Sequence, residues 1–321
     1  MKPVCMVIGA GAGIGGNVGK RFAREGYHSV LCRRSDQDGL DQLVQSIEDQ
    51  GGSATGFLMN AVEPDSIEKC VDKVETDIGP IDTLVFNLGA QVGNKSLSEK
   101  NSKYIYWEPL NGILDLKKID NLDVVIHLAA LSTDPLCKGK AYQCFDTNVM
   151  GTLNLMNVAM KKNVTQFIFA SSEWVYSGFT GNEEKNEEAT IDITKISSEY
   201  ALSKLVSEAN LRQQYTLGFC DVTILRFGII YGHKNGKGSA VESIARTVKN
   251  CESITTKSLK TGRRFVHVKD IARGIIQSLG LKNFEIINLS GNKVDTLKEI
   301  IEISERIFHT KIDIIEIGSV W

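Results

Sequence analysis

The chain has 321 residues, 42% of them hydrophobic and 24% charged, with a formal net charge of −2. That length holds one large core, or a core with a smaller lobe. The near-neutral balance gives no broad basic field for nucleic acid, and no apolar run approaches the roughly 20 residues that span a bilayer.

"MKPVCMVIGAGAGIGG" passes from one lysine directly into a strand and a glycine-rich turn, without the apolar stretch and cleavage site of a secretory signal, so the expected location is the cytoplasm. Strands and helices then alternate: "PVCMVIG", the helix "IGGNVGKRFAREG", "HSVLCRR", a helix through "LDQLVQSIEDQGG", "ATGFLMN", a helix from Pro64 to about Ile78, and "DTLVFNLGA". This is the pattern of βαβ units building a parallel sheet with helices on both faces. Residues 91–103, "QVGNKSLSEKNSK", are polar and aperiodic, which reads as a loop or seam.

After that seam the plan partly restarts. An aromatic run and a turn in "YIYWEPLNGILDLKKIDNL" lead to a second strand, "DVVIHLAAL", built like "DTLVFNLGA": an acid, an apolar run, one polar residue, then small residues. The strand 3/strand 4 segment is thus duplicated, although one sheet has room for one set. The second copy runs on into the residues that carry chemistry, so it is expected beside the first strand, with the upstream copy as an extension or insertion; the reverse assignment is the alternative. Next come a helix across "TNVMGTLNLMNVAMKKN", the strand "TQFIFASS", a helix through "SSEYALSKLVSEANLRQQ", the strand "DVTILRFG", and a last third ending in "FEIINLSG", "LKEIIEISERIF" and "KIDIIEI".

Gly9, Gly13 and Gly15 lie between a strand and a helix, where they allow a tight turn and let backbone N–H groups approach a pyrophosphate. At the end of the second strand an acid would hold a ribose 2′-hydroxyl, whereas Arg suits a 2′-phosphate. Arg33 and Arg34 therefore favour NADP over NAD as cofactor; a solvated basic helix start is the plainer reading. Tyr200 and Lys204 lie four apart on one helix face, and a fixed ammonium lowers a phenol's pKa toward neutral. Ser172, just past a strand end, is placed to hold a substrate oxygen beside that phenol. The seven cysteines are scattered without a Cys-x-x-Cys pair, which points to reduced structural thiols and no metal site.

Together these motifs resemble the short-chain dehydrogenase/reductase family. Residues 1 to about 94 resemble its shorter branch through "GAGAGIG" and "FNLG"; residues from about 103 onward resemble the extended branch of nucleotide-sugar epimerases and dehydratases through "HLAA", "NVMGTLNL", "SSEWVY", "YALSK", "LRFGIIYG" and "RRFVHVKDIA". A joining of two branches near residues 91–103 explains the doubled strand. The resemblance implies a doubly wound parallel Rossmann sheet over residues 1–228, with the seam or insertion near 91–122, and a small C-terminal substrate lobe over 229–321, interleaved with the last sheet strands.

It also implies roles. Ser172, Tyr200 and Lys204 form the catalytic set, Asn148 supports the fourth helix, and Glu173 stands where dehydratases carry an acid, although Trp174 replaces their second acid. Gly9, Gly13, Ile14, Gly15, Arg33, Arg34, Leu128, Ala129, Ala130, Phe227, Tyr200 and Lys204 line the dinucleotide. Arg263 binds a substrate diphosphate. Ile229 and His233 depart from the usual Asn and Pro of "LRFGIIYG", and His127 and His267 read as packed residues. The expected activity is that of an NAD(P)-dependent oxidoreductase or epimerase on a nucleotide-linked sugar; an NADPH-dependent carbonyl reductase and a non-catalytic nucleotide-binding chain with a disrupted site are the alternatives. A homodimer is the family's usual assembly.

Overall fold

The computed structural model describes residues 2–61, 63, 65–88, 119, 122–179, 184–232 and 239–317. The polar stretch 91–103, the aromatic run after it, Trp107, His233 and Trp321 lie outside the described residues.

β1 (Val4–Ile8), α1 (Ile14–Arg24), β2 (His28–Arg33), α2 (Gln37–Glu48), β3 (Ser53–Leu58), α3 (Ser66–Asp77) and β4 (Ile81–Phe86) alternate as their patterns require. β5 (Val124–His127), the short helices α4 (Asp134–Cys137) and α5 (Ala141–Phe145), α6 (Gly151–Lys161), β6 (Gln166–Ser172), α7 (Glu199–Thr216) and β7 (Asp221–Phe227) follow. β8 (Ile229–Tyr231), α8 (Ala240–Lys249), β9 (Ile254–Thr256), β10 (Gly262–Arg263), β11 (Phe265–His267), α9 (Val268–Gln277), β12 (Phe284–Leu289), β13 (Asp295–Thr296), α10 (Leu297–Phe308) and β14 (Ile314–Glu316) complete the chain.

Eight parallel strands form the main sheet in the order β12-β7-β6-β5-β4-β1-β2-β3. The strand expected beside β1 is therefore corrected. The upstream copy, β4, takes that place, with Cys5 to Ile8 opposite Thr83 to Phe86. The second copy, β5, lies one place further out, between β4 and β6. Two local features account for this. Asp82, the acid at the head of β4, accepts the Val4 backbone N–H at 2.6 Å, so the upstream copy is matched to β1 at its first residue. β5 has only four residues, and its leading Asp123 instead accepts the N–H groups of Thr165 and Gln166 with its carbonyl, binding it to β6.

Because helices cover both faces, the inner strands are apolar throughout instead of alternating. Met6, Leu84, Phe86, Val125, Phe167 and Phe169 fill one face; Val7, Leu31, Val85, Ile126, Ile168 and Leu225 fill the other. α9 packs on α1 and β12 closes the far edge on β7, so residues beyond 229 return to the main sheet. The pairs β8/β11, β10/β13 and β9/β14 and the packed helices α8 and α10 lie outside it. Both of those helices start with a capping box, Ser239 with Glu242 and Thr296 with Glu299. Among the described residues no helix is long and apolar enough to cross a membrane.

Candidate active site

The chain leaves β1 in one direction across the sheet and β4 in the other, so a crevice opens between the carboxyl ends of these two strands, where open α/β sheets bind ligands. Gly9 turns there with φ +95°, and a side chain on it would meet the Asn87 carbonyl at 2.3 Å. A Cβ on Gly15 would lie 2.3 Å from the Gly9 carbonyl and 2.5 Å from Asn87 Nδ2. Asn87 Nδ2 donates to the Gly9 carbonyl at 2.9 Å, and the Cys32 carbonyl accepts from the N–H groups of Gly9 and Ala10. A Cβ on Gly13 would meet no protein atom, and α1 starts at Ile14 with no side-chain cap on its N–H groups. Glycines closed from below, with an uncapped helix N-terminus ahead of them, fit a dinucleotide pyrophosphate. Arg33 is held by Asp36 at 3.1 Å while Arg34 is exposed.

Leu128, Ala129 and Ala130 follow β5, with the N–H groups of Leu128 and Ala129 donating to the Phe86 carbonyl. They sit one strand away from the β1/β4 crevice, and Asn87 and Leu88 occupy the neighbouring place instead. Phe227 is buried at the end of β7, and Ile14 packs into the core beneath α1.

The polar residues downstream converge at the end of β6. α7 is capped by Ser198, whose hydroxyl accepts the Ala201 N–H, and turns Tyr200, Lys204 and Glu208 inward on one face. Tyr200 packs with Leu131, Cys137 and Cys144. Burial pushes its phenol up to about 12 against the opposing pull of a hydrogen bond with Ser172. Lys204 Nζ donates to the Ala170 carbonyl at 2.8 Å and lies 4.7 Å from the centre of the Phe169 ring. Burial lowers it to about 8. The four-residue spacing predicts a phenol lowered by the ammonium; instead burial raises it, the Lys204 ammonium being turned to the Ala170 carbonyl, and Ser172 offsets only part of the rise.

Asn148 lies in a wide π-type turn leading into α6. Its side chain accepts the Leu131 N–H at 2.8 Å and donates to Ser203 at 2.9 Å, joining the loop after β5 to α7. His127 is buried with Nε2 on Thr152 at 3.0 Å, and desolvation lowers it to about 3. His267 caps α9 by accepting the Lys269 N–H.

From Glu173, the residue after Ser172, the chain lines a cleft of about 1200 Å³ with Arg226, Lys260, Arg263 and Arg264 among others; Ser172, Tyr200 and Lys204 are not in its wall. Glu173 is raised to about 7 by burial, with Arg263 and Arg264 opposing the shift. Arg263 is exposed, with Nη1 on its neighbour's carbonyl, while Arg264 pairs with Glu184 and donates to the Gly291 carbonyl. On the floor, Arg226 forms a buried bidentate pair with Glu208 at 3.1 and 2.6 Å. Sequence reasoning passed over that pair, though an arginine in the apolar run "VTILRFG" must have a buried partner. Asn87 was legible as part of "FNLG" but was not given a site role.

This is a dinucleotide-binding α/β fold with a Ser-Tyr-Lys cluster at the carboxyl edge of its sheet. The chain belongs to the NAD dependent epimerase/dehydratase family, whose pattern matches residues 112–290, while residues 3–109 match the short chain dehydrogenase pattern. The two matches meet between 109 and 112, slightly beyond the expected join at 91–103 and within the 91–122 seam. UDP-glucuronate 4-epimerase of Thermodesulfobacterium geofontis is 32% identical over 60% of this chain and 58% of its own length. A putative UDP-glucose 4-epimerase of Methanocaldococcus jannaschii is 30% identical over 66% of this chain and 70% of its own. The first third is similar instead to 3-oxoacyl-[acyl-carrier-protein] reductase of Thermotoga maritima, 36% identical over 27% of this chain and 35% of that enzyme. Among solved structures, the UDP-N-acetylglucosamine 4-epimerase of Methanobrevibacter ruminantium superposes with a TM-score of 0.69 at 19% identity, covering 99% of this chain and 86% of that one. The Thermotoga maritima UDP-glucose 4-epimerase gives 0.66 at 16%, covering 98% and 85%. At these identities the likeness is one of fold.

Proposed function

We propose that the chain is an NAD(P)-dependent oxidoreductase or epimerase acting on a nucleotide-linked sugar through Ser172, Tyr200 and Lys204. The observation that carries this reading is the convergence of Ser172, at the end of β6, with the buried Tyr200 and Lys204 of α7, Lys204 being bonded to the Ala170 carbonyl of that same strand, while Glu173, the residue after Ser172, lines a cleft with Arg263 and Arg264. Two relatives of its later part are named as a UDP-glucuronate 4-epimerase and a putative UDP-glucose 4-epimerase, which supports the reading.

Gly9, Gly13, Ile14 and Gly15 would hold the pyrophosphate of the dinucleotide, Arg33 and Arg34 a 2′-phosphate, and Lys204 the nicotinamide ribose, with Leu128, Ala129, Ala130 and Phe227 along the floor. The bound dinucleotide supplies the hydride acceptor or donor. Tyr200 exchanges a proton with the sugar hydroxyl, and Ser172 holds that oxygen in line. With its phenol protonated at neutral pH, Tyr200 rests as the acid, the form needed when a keto-sugar is reduced. Arg263 and Arg264 would pair with the diphosphate.

NADPH-dependent reduction of a carbonyl compound is the second reading, favoured by the reductase-like first third and by Arg33 and Arg34 at the end of β2. Incubation with UDP-glucuronate or UDP-glucose, read by NMR of the sugar and by nicotinamide absorbance, separates the two. A 4-epimer formed without net cofactor change supports the first reading; stoichiometric NADPH loss with a ketone supports the second. A parent enzyme active on either, with Tyr200→Phe equally active, removes the proposed site.

A further inference from the structure

We propose that Glu208 is a positioning residue that holds Ser172 and Lys204 in working arrangement, one turn of α7 below the residues that meet the substrate. The inference rests on the reading of Ser172, Tyr200 and Lys204 as the reactive set. Tyr200, Lys204 and Glu208 recur every fourth residue, which brings all three to one face of α7.

Both carboxylate oxygens of Glu208 are engaged, and each bond leads to a different part of the site. Oε1 accepts from the Ser171 hydroxyl at 2.5 Å and from Arg226 Nε at 3.1 Å; Oε2 accepts from Arg226 Nη2 at 2.6 Å. Ser171 directly precedes Ser172, so its tether fixes the last turn of backbone in β6. Arg226 Nη1 in turn donates to the Tyr176 hydroxyl at 2.7 Å, and Tyr176 donates to Asn288 Oδ1 at 2.9 Å. Tyr176 ends the short 3-10 turn that starts at Glu173. One buried carboxylate therefore ties α7, β6, β7 and β12 to the wall of the charged cleft.

The same carboxylate is a counter-charge for Lys204. Lys204 faces Ala170 and Phe169 of β6, Cys137 of α4, Cys144 of α5, His127 of β5 and, on its own helix, Glu208. Of these, His127 is kept neutral by burial, while Cys144 and then Glu208 favour the ammonium against its burial; of the two, Glu208 is the one that Arg226 and Ser171 hold in place. Arg226 and Glu208 are only 4% and 6% exposed, so neither charge has water in place of the other. Removing one leaves the other uncompensated beside Lys204.

The test uses the full chain and the variants Glu208→Gln, Ser171→Ala and Tyr200→Phe. Turnover is measured with UDP-glucuronate across pH, NADP affinity by titration, and the Lys204 titration by NMR of 13C-labelled lysines assigned with Lys204→Arg. Folded Glu208→Gln is expected to lose roughly a hundredfold in kcat, as small misplacements of reacting groups do. Its NADP affinity should fall less than its kcat does, and by less than in Lys204→Ala, because Lys204 is still present and the glycine crevice lies three strands away. The Lys204 midpoint should move to lower pH, carrying the alkaline limb of the rate profile with it. Ser171→Ala, which keeps the ion pair and is safe for folding, should lose about tenfold in kcat, the loss expected from a single hydrogen bond to a charged group, with the Lys204 midpoint unchanged.

A merely structural Glu208 would lower the melting temperature while leaving kcat, pH profile and Lys204 midpoint at parental values; that result overturns the proposal. If Glu208→Gln does not fold, parental kcat in Ser171→Ala overturns the tether. Undiminished turnover in Tyr200→Phe would sink the reading of the site itself, and the Lys204 midpoint then still judges Glu208 without reference to turnover.

Discussion

In the proposed reaction Tyr200 exchanges the proton, and its environment sets the direction of that exchange. Burial holds the phenol near 12 and only Ser172 draws it down. Tyr200→Phe is expected to cut kcat by about 10²–10⁴-fold, the span of general acid–base catalysis, a far larger change than in cofactor affinity. Two neighbouring groups set the pH dependence. Lys204, lowered to about 8, is an ammonium below that pH, so a rate needing its charge falls as pH rises through 8. Glu173, raised to about 7, is neutral below that pH and an anion above it. Since an anion repels a diphosphate, KM for a nucleotide sugar should rise as pH passes 7, and Glu173→Gln should flatten that rise. A KM independent of pH in the parent would remove Glu173 from the diphosphate's surroundings. At this scale the sequence was informative where spacing speaks for itself: Tyr200 and Lys204 are four apart and do share a face. It was silent on the orientation of Lys204, because the Ala170 carbonyl and Phe169 ring that hold its ammonium lie on a strand some thirty residues earlier.

Among the elements, β4 and β5 show how two similar strands find different places. Both have an acid, an apolar run and small residues after it, and periodicity does not rank them. What ranks them is contact made at a distance: Asp82 on Val4, and Asn87 on Gly9. Asn87 makes β4 a working part of the glycine crevice, and Asn87→Ala should weaken NADP binding about tenfold, the effect of one buried hydrogen bond at roughly 1–3 kcal/mol. Titration of the variant checks this; parental affinity would detach β4 from the cofactor. β6 has a second duty besides pairing. Phe169 is fully buried beneath the Lys204 ammonium, and Phe169→Ala should cost about 3–5 kcal/mol in urea unfolding. The helices and strands themselves were legible from pattern, since long βα alternation leaves few other solutions. The order of neighbours was not, because it is decided by bonds between residues some seventy-eight positions apart.

In the whole molecule, the extra strand changes the distance between two halves of one site. The glycine turn follows β1 and Ser172 ends β6, three strand intervals apart in the sheet. At about 4.8 Å per interval this is roughly 14 Å, one strand more than if β4 or β5 were missing. Residues matching the short chain dehydrogenase pattern build the crevice, and residues matching the epimerase pattern build the Ser-Tyr-Lys cluster and the cleft. A dinucleotide seated on Gly9 and reaching Tyr200 must therefore cross the ends of both β4 and β5, over Asn87 and Leu128 to Ala130. The duplication was visible in the sequence as two like strands; its consequence for reach appears only once their order in the sheet is known. The claim that joins both halves is that one dinucleotide serves them. Its most direct test is isothermal titration of the folded, monodisperse protein with NADP, in the parent and in Lys204→Ala. One NADP per chain is expected in the parent, with at least tenfold weaker binding in Lys204→Ala. Equal affinity in both proteins, or no binding by a folded parent, would contradict it.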